Sequence, residues 1–213
     1  MKNKYLRKMI TIVMAGVMTL ATSLSAYAGS VEGVKIYGDL SENRCFYERA
    51  VVLNNGDLLA TWCREFPVVT GWQGMKSMYF YKSSDDGKTW SRVSTLDPSN
   101  YDGLSRDKMG MSGMYVLPRA VGNLPAGTIL FALSDWNSSS EYCIHVWRST
   151  DNGASWQFHS NLAPRGNVTS SVWEPEFVLT DDNKLVCYYS DERQPGYDQC
   201  IAEEISFDGG VTW

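Results

Sequence analysis

Short, mostly apolar runs, separated by clusters of turn and polar residues, dominate the chain beyond residue 40. Residues 77–81, 143–147 and 200–205 are three such runs, and they are rich in β-branched and aromatic side chains. Runs of this length, bounded by Gly, Asp and Asn, are typical of β-strands joined by tight turns. The pattern therefore predicts an all-β protein built from short hairpins.

Each of these three runs is followed by one copy of an eight-residue motif, S-x-D-x-G-x-[ST]-W. The copies occupy residues 83–90, 149–156 and 206–213, and their first residues are 66 and then 57 positions apart. A repeat at this spacing indicates one folding unit that recurs along the chain. The third copy ends on Trp213, so we expect the sequence to stop inside a repeat.

The chemistry of the motif is that of a turn. Its Asp can accept hydrogen bonds from backbone N–H groups ahead of it, and its Gly tolerates positive φ. Its Trp is expected to anchor the corner in apolar packing. A metal site is the alternative interpretation, but a calcium loop needs more acidic positions and a distal Glu. We therefore predict structural hairpin turns, no metal ligands and no cofactor.

The repeats can be laid out as units of up to four strands. Predicted strands of the first unit are 49–53, 58–63, 77–82 and 91–95. Those of the second are 114–117, 128–133, 143–148 and 157–160, and those of the third are 173–179, 184–189 and 199–205. Sheets of this kind, arranged radially around a channel, form a β-propeller.

The motif is identified as the Asp-box of the sialidase-like β-propellers, which have six blades. The resemblance implies a partial six-bladed propeller, with about three four-stranded blades in the chain. We expect a truncated form of a longer protein, in which open strand edges favour self-association. Because the box also occurs in non-enzymatic propellers, it indicates the fold more strongly than the activity.

Residues 1–28 have the features of a secretory signal peptide. Four basic residues precede a mostly apolar stretch, and Ala26-Tyr27-Ala28 is a small-x-small cleavage site. The domain is then an incomplete propeller over residues 29–213. The whole chain has a formal net charge of −5, and an acidic, secreted protein is not expected to bind nucleic acid, or a membrane after cleavage.

Five cysteines lie beyond the predicted signal peptide. Export permits disulfides, and Cys187 with Cys200 on neighbouring strands is one candidate pair, with Cys45–Cys63 as another. Buried free thiols are an equally good interpretation. The cysteine spacings do not match a zinc site.

Candidate site residues follow from the orientation of the blades. The Asp-boxes join third to fourth strands, so function is expected at the opposite mouth of the channel. Residues 173–177, Trp-Glu-Pro-Glu-Phe, open an innermost strand there, and alternation places Glu174 and Glu176 on one side of it. Glu174 is the candidate catalytic residue, and Glu176 a candidate for substrate binding.

Other residues predicted at this mouth are rim residues that could contact a substrate. They are Asp191, Glu192, Arg49, Arg64 and Asp135, together with Trp136 and Trp72, whose rings could stack on sugars. Residues 110–114 are interpreted as an apolar loop without chemistry. His145 and His159 are interpreted as structural.

Two families of sialidase-like propellers offer a function. Sialidases resemble the chain at Glu174-Pro175, but Tyr47 and Ser190 stand where two of their substrate-binding arginines are expected. Loss of bidentate arginines disfavours binding of a carboxylate. The chain more closely resembles the exo-α-1,5-L-arabinanases in residues 47–51, 55–61, 173–175 and 189–192.

That resemblance implies a secreted, retaining glycoside hydrolase that releases arabinobiose from arabinan or acts on a related plant glycan. It implies two catalytic glutamates, of which Glu174 matches one, here assigned as acid/base, and the second lies on a later blade. The partner is a poly- or oligosaccharide. A non-catalytic propeller that binds glycan or protein, and an exo-α-sialidase, are the alternatives.

Overall fold

The structure is a computed structural model that describes residues 33–37, 44–65, 77–97, 108–136, 142–166 and 171–213. All described strands belong to one compact unit, 35–213. Of the separate unit 1–34, only Gly33 and Val34 are described, and both are exposed. The predicted signal peptide, 1–28, and Trp72 lie outside the described residues. Within the described residues, there is no helix of the length and apolarity that a membrane span requires.

Eleven strands are present in the described residues, and they form three antiparallel sheets. The first sheet contains β1 (Arg44–Val52), β2 (Leu58–Glu65), β3 (Met78–Ser83) and β4 (Ser91–Leu96); the second β5 (Lys108–Val116), β6 (Ile129–Trp136), β7 (Tyr142–Ser149) and β8 (Gln157–Gly166); the third β9 (Val172–Leu179), β10 (Leu185–Asp191) and β11 (Cys200–Ser206). Strands pair in chain order within each sheet. The predicted all-β, blade-like organisation is confirmed, and it is that of a partial β-propeller.

The second blade lies between the other two, and the burial of its strands reflects this position. Strand β6 is buried along its whole length, because both of its faces are covered. Phe131 and Leu133 pack on one side with Phe80 of the first blade, while Leu130 packs on the other with Phe177 of the third. The innermost strand β5 contacts both β1 and β9. The three innermost strands therefore lie side by side, as a propeller requires.

The prediction that residues 110–114 form a loop is wrong. They are the middle of β5, which runs from Lys108 to Val116. The stretch Gly-Met-Ser-Gly-Met lacks the alternation of a typical strand because β5 bulges between Gly110 and Gly113. A bulge adds a residue to one strand and shifts its period, so the sequence pattern did not reveal it.

The two candidate disulfides are not formed, and none of the five cysteines belongs to a disulfide bond. The register of the paired strands explains why neither disulfide forms. Cys187 pairs with Glu204, whereas Cys200 pairs with Asp191 at the other end of β10. Cys45 is offset by one residue from Cys63, so their side chains lie on opposite faces of the sheet.

The Asp-boxes are structural turns, as predicted. In the first, Asp85 Oδ1 accepts from Ser83 Oγ at 2.7 Å and from the backbone N–H of Thr89 at 2.9 Å, while Ser83 Oγ accepts from the Gly87 N–H at 2.9 Å. The other two boxes repeat this network. The carboxylates are thereby occupied by their own turns.

The boxes also join blades, which the sequence did not predict. Trp156 Nε1 donates to Ser94 Oγ at 3.1 Å, and the Trp156 ring stacks on Phe80 with centroids 4.3 Å apart. Both partners belong to the first blade. Trp213 Nε1 likewise donates to Ser160 Oγ on β8 at 3.0 Å. The second and third boxes thus fasten their blades to the preceding ones.

Candidate active site

Each innermost strand carries a β-bulge near its first residues, at the end of the blade away from the Asp-boxes. The strands pair regularly except between Phe46 and Arg49 in β1, between Gly110 and Gly113 in β5, and between Trp173 and Glu176 in β9. In each case two residues of the inner strand face one residue of its partner. The three bulges are therefore equivalent positions of three blades.

The first residue of each bulge has a left-handed backbone. Tyr47 has φ 54°, Met111 has φ 52° and Glu174 has φ 57°. Residues other than Gly are uncommon in this region, and their presence often marks a functional site. The N–H of Met111 donates to Cys63 Sγ on β2 at 3.2 Å, which holds the second bulge in place.

The three bulged residues line one open pocket of about 320 Å³. Its described lining consists of Tyr47, Met111, Trp173, Glu174, Glu192 and Gln199. The bulges therefore bring one side chain from each blade to a common space, and the bulge residue from the third blade is the predicted catalytic Glu174. A carboxyl group beside aromatic and apolar side chains is suited to a sugar ring and a proton transfer.

Glycine at position 113 allows the third bulge to approach the second blade. A Cβ atom built on Gly113 would lie only 1.8 Å from the carbonyl oxygen of Pro175. Pro175 follows Glu174 within the bulge, where its missing N–H costs no ladder hydrogen bond. The backbone that carries Glu174 is therefore seated directly on β5.

Glu192 is the second described carboxyl group of this pocket. Its Oε1 accepts a hydrogen bond from Trp173 Nε1 at 2.9 Å, and its backbone N–H donates to the Ser171 carbonyl at 3.0 Å. Both bonds fix it beside the bulge of β9. The structure thus brings Glu174 and Glu192 to the same pocket.

Glu176 and Arg49 meet across the inner strands. Arg49 Nε lies 3.3 Å from Glu176 Oε1, and the two side chains are 25% and 60% exposed. They occupy equivalent positions, each directly after its bulge, and the corresponding residue of the second blade is Gly113. Because Gly113 has no side chain, the ion pair links the first and third blades.

Asp191 is buried, and it holds a neighbouring arginine. Its Oδ1 accepts from Arg193 Nε at 2.8 Å and its Oδ2 from Arg193 Nη2 at 2.7 Å. The hydrogen bonds from Arg193 keep the pKa of Asp191 below its ordinary value, and those to Asp191 raise the pKa of Arg193. Arg193 also donates to Tyr189 Oη at 2.9 Å. Burial raises the pKa of Tyr189 to about 12, although Arg193 opposes this.

The remaining predicted site residues are distributed around the second and first blades. Asp135 is fully buried and lies 2.5 Å from His145 Nδ1. Trp136 is buried too, and packs edge-to-face against Trp173 at 5.6 Å. Arg64 pairs with Cys45 in the β1–β2 ladder, and its side chain is outside the described part. The described pocket lining includes neither Asp135 nor Trp136.

Tyr47, Met111 and Gln199 are pocket residues that were not predicted to bind substrate. Tyr47 stands where sialidases have a substrate-binding arginine, but the residue types of Tyr47 and Met111 do not separate them from ordinary strand residues. The available signal was positional, since both stand where Glu174 stands in the third repeat. Aligning the three repeats through their innermost strands would have found them.

A family model for BNR repeat-like domains matches residues 37–213. No protein with a curated description matches the chain. Among solved structures, the GH93 α-L-arabinofuranosidase of Fusarium graminearum, in complex with arabinobiose, is 30% identical with a TM-score of 0.71. The match covers 84% of this chain and 50% of that one.

The α-L-arabinanase of Penicillium chrysogenum, also complexed with arabinobiose, is 33% identical with a TM-score of 0.65, over 78% of this chain and 46% of that one. The chain thus spans about half the length of either enzyme. A Hadza microbial sialidase is 17% identical with a TM-score of 0.54, over 81% and 36% of the two chains. At that identity the likeness concerns the fold alone.

Proposed function

The chain belongs to the family of BNR repeat-like domains, and we propose that it contributes the acid/base Glu174 to a secreted, exo-acting glycoside hydrolase of arabinan or a related plant glycan. The observation that carries this proposal is the bulge of β9, which presents Glu174 at positive φ to a pocket shared by all three described blades. Similarity to an α-L-arabinofuranosidase and an α-L-arabinanase, both solved with arabinobiose, supports the substrate class.

The proposed reaction proceeds with retention of configuration. Retaining enzymes use two carboxyl groups about 5–5.5 Å apart, one as nucleophile and one as acid, then base. Glu174 protonates the oxygen of the leaving sugar and afterwards removes a proton from the attacking water. The nucleophile is proposed to come from a later blade, as the resemblance to arabinanases implies.

Glu192 is proposed to orient the substrate rather than to transfer a proton. Its Oε1 already accepts from the Trp173 indole, so one oxygen is occupied and the other can accept from a sugar hydroxyl. Tyr47 and Met111 supply the flat, weakly polar surface against which a furanose ring packs.

A sialidase is disfavoured by the arginines of this region. Both guanidinium nitrogens of Arg193 that face Asp191 donate to its carboxylate, and Arg49 is paired with Glu176. The described pocket lining contains no arginine. A substrate carboxylate would therefore have to displace existing ion pairs.

The test is hydrolysis of linear arabinan by the protein expressed from its complete reading frame. Glu174→Gln is expected to lower kcat by about 10²–10⁴-fold, the range of general acid–base catalysis, while arabinobiose binding persists. Glu176→Gln and Glu192→Gln are matched controls: each neutralises a neighbouring carboxyl group, and each should cost far less. Full activity of Glu174→Gln would refute the assignment, and release of sialic acid would refute the substrate class.

A non-catalytic glycan-binding domain is the second candidate, because Tyr47, Met111 and Trp173 lie beside Glu174 in the described pocket lining and could pack on a sugar. The same assay separates the two functions. A binding domain would hold arabinobiose with similar affinity in the parent protein and in Glu174→Gln, and neither would hydrolyse arabinan.

We also propose that the 213-residue chain alone self-associates and has little hydrolase activity. The third blade exposes Val178, Tyr188 and Ile201, which are 40%, 44% and 73% accessible. Apolar groups so close together on one sheet favour association. A monodisperse, active monomer in size-exclusion chromatography would contradict this proposal.

A further inference from the structure

Three side chains with metal-binding atoms meet inside the second blade, away from the pocket of Glu174. Asp135 lies near the end of β6, and Cys143 and His145 lie near the start of β7. They are 0%, 2% and 3% exposed. Asp135 is paired with Cys143 in the ladder, and His145 follows two residues later on the same face. Strand pairing thus assembles the cluster.

The distances within the cluster are short. Cys143 Sγ lies 3.1 Å from Asp135 Oδ1 and 3.4 Å from His145 Nε2, and His145 Nδ1 lies 2.5 Å from Asp135 Oδ2. In tetrahedral zinc sites, metal–ligand bonds of about 2.0–2.3 Å place ligand atoms roughly 3.5 Å apart. The imidazole presents Nε2 to the thiol and Nδ1 to the carboxylate, so a metal ion would take one of these nitrogens and the contact at the other would give way.

We propose that Asp135, Cys143 and His145 bind one zinc-like divalent cation. A thiolate, an imidazole and a carboxylate are the ligands that zinc takes, whereas calcium and magnesium require oxygen ligands. Among the described residues three supply ligands, and zinc takes four, so a fourth ligand from water or from the rest of the chain completes the site. The sequence pointed away from such a site because its cysteine spacings match no zinc motif, whereas here β6 supplies one ligand and β7 the other two.

Charge balance favours the dication at this buried position. On binding, the Cys143 thiol loses its proton to solvent, His145 binds as a neutral imidazole, and Asp135 binds as a carboxylate. The two anionic ligands then cancel the charge of the cation, so that no net charge is buried. The bound ion would cross-link β6 to β7 close to the point where the chain passes between them.

A nucleophilic Cys–His–Asp triad is the competing interpretation of the same residues, and their surroundings disfavour it. The cluster shares its face of the sheet with buried Leu133 and Trp147 of the core between the first two blades, and the His145 ring packs edge-to-face on Phe158 at 5.6 Å. A substrate would have to reach a thiol that is 2% exposed. A metal ion is far smaller than a substrate and needs less space.

The test is a titration of the full chain with Co²⁺, which substitutes for zinc and reports thiolate ligation by a charge-transfer band. One Co²⁺ per chain should bind, with this band, and Zn²⁺ should displace it. Cys143→Ser and His145→Gln should each weaken binding by at least about tenfold, and Cys143→Ser should abolish the band. Cys187→Ser is the matched control, since it removes an equally buried thiol from the third blade.

Absence of the charge-transfer band in the parent chain, or its persistence in Cys143→Ser, would overturn the proposal. If a variant fails to fold, the parent chain still provides a test. Zn²⁺ should raise its midpoint of thermal unfolding, whereas Mg²⁺ should not, because only ions that bind the folded state stabilise it. Equal effects of the two ions would also overturn the proposal.

Discussion

Each end of the blades carries a structural feature that occurs once in every blade. The two ends differ in whether the side chains recur together with the backbone. At the Asp-box end, backbone and side chains recur together, and the Ser–Asp hydrogen bond is 2.7 Å in all three copies. At the bulged end only the backbone recurs, with φ between 52° and 57°, and the side chains are Tyr47, Met111 and Glu174. Side chains are repeated where they build the turn and vary where they face the pocket.

The three Asp-boxes form the same turn, but they differ in the residue that accepts the hydrogen bond of their Trp indole. Trp156 and Trp213 donate to serines of the preceding blade. Trp90 donates instead to Gly87 of its own box, at 3.0 Å. The shared motif makes a turn in every copy, and it also fastens two blades where Ser94 or Ser160 lies opposite.

Removing the indole that braces two blades should have the largest effect on stability. Trp156→Ala deletes the stack on Phe80 and the bond to Ser94, and should cost about 3–5 kcal/mol, as for other large-to-small core changes. Trp90→Ala is the control, because its indole bonds within its own turn. Urea unfolding of both variants measures the difference. Equal losses would mean that the brace between blades contributes nothing.

At the bulged end, filling the space beside Pro175 should have the next largest effect. Gly113→Ala places a methyl group against a backbone oxygen, and overpacking of this kind costs about 1–3 kcal/mol. The bulge of Glu174 must move to relieve it, so hydrolysis by the complete protein should fall as well. Gly33→Ala, where nothing lies within 4 Å, should change neither stability nor rate. Unaltered unfolding of Gly113→Ala would show that β9 is not seated on β5.

Acid should weaken the Asp-box end through its carboxylates. The hydrogen bonds from Thr89, then from Ser83, lower the pKa of Asp85 from 3.8 to about 2. For Asp151, burial raises the pKa, but bonds from Ser155 outweigh it and the pKa is lowered. A carboxyl group with a lowered folded pKa stabilises fully above its unfolded pKa, and this contribution disappears as the pH falls through the folded value.

Unfolding free energies measured between pH 6 and about pH 2 should therefore fall mainly below about pH 4. Asp85→Asn should flatten that decline, and Thr89→Val, which removes one donor to Asp85, should flatten it in part. A decline that is equally steep in Asp85→Asn would assign the acid sensitivity to other groups.

The contrast between the Asp-box end and the bulged end also explains how far the sequence predicted the structure. The Asp-boxes were predictable because Ser, Asp and Gly form this turn through local bonds, whatever surrounds them. The bulges were not, because Tyr47, Met111 and Glu174 have no preference for positive φ, and tertiary packing at positions such as Gly113 imposes it. Glu174 was predicted because acidic residues at the opening of an inner strand are unusual, and because Glu174-Pro175 resembles a segment of related glycoside hydrolases.

Residues whose side-chain partners the sequence pattern does not reveal were harder to place. Asp135 was expected at the rim, yet pairing of β6 with β7 buries it beside His145. Asp191 was expected to meet substrate, yet Arg193, two residues later, occupies both of its oxygens. Glu176 and Arg49 were both expected at one mouth of the channel, but their ion pair, with 3.3 Å between Arg49 Nε and Glu176 Oε1, was not predicted, because it depends on Gly113 between them.

The smallest predicted effect is also the sharpest test of the bulged end, since it has the opposite sign. Glu174→Gly should relieve the left-handed strain and stabilise the folded state by about 1 kcal/mol, while removing the proposed acid/base. Glu176→Gly is the control two residues away, at an ordinary backbone angle, where glycine should destabilise by about 0.5–1 kcal/mol in addition to the loss of the ion pair with Arg49. Thermal unfolding of both variants measures these shifts. A stabilised but inactive Glu174→Gly variant would mean that the bulge retains backbone strain in order to present the Glu174 side chain. Destabilisation equal to that of Glu176→Gly would show that no strain is stored at the bulge.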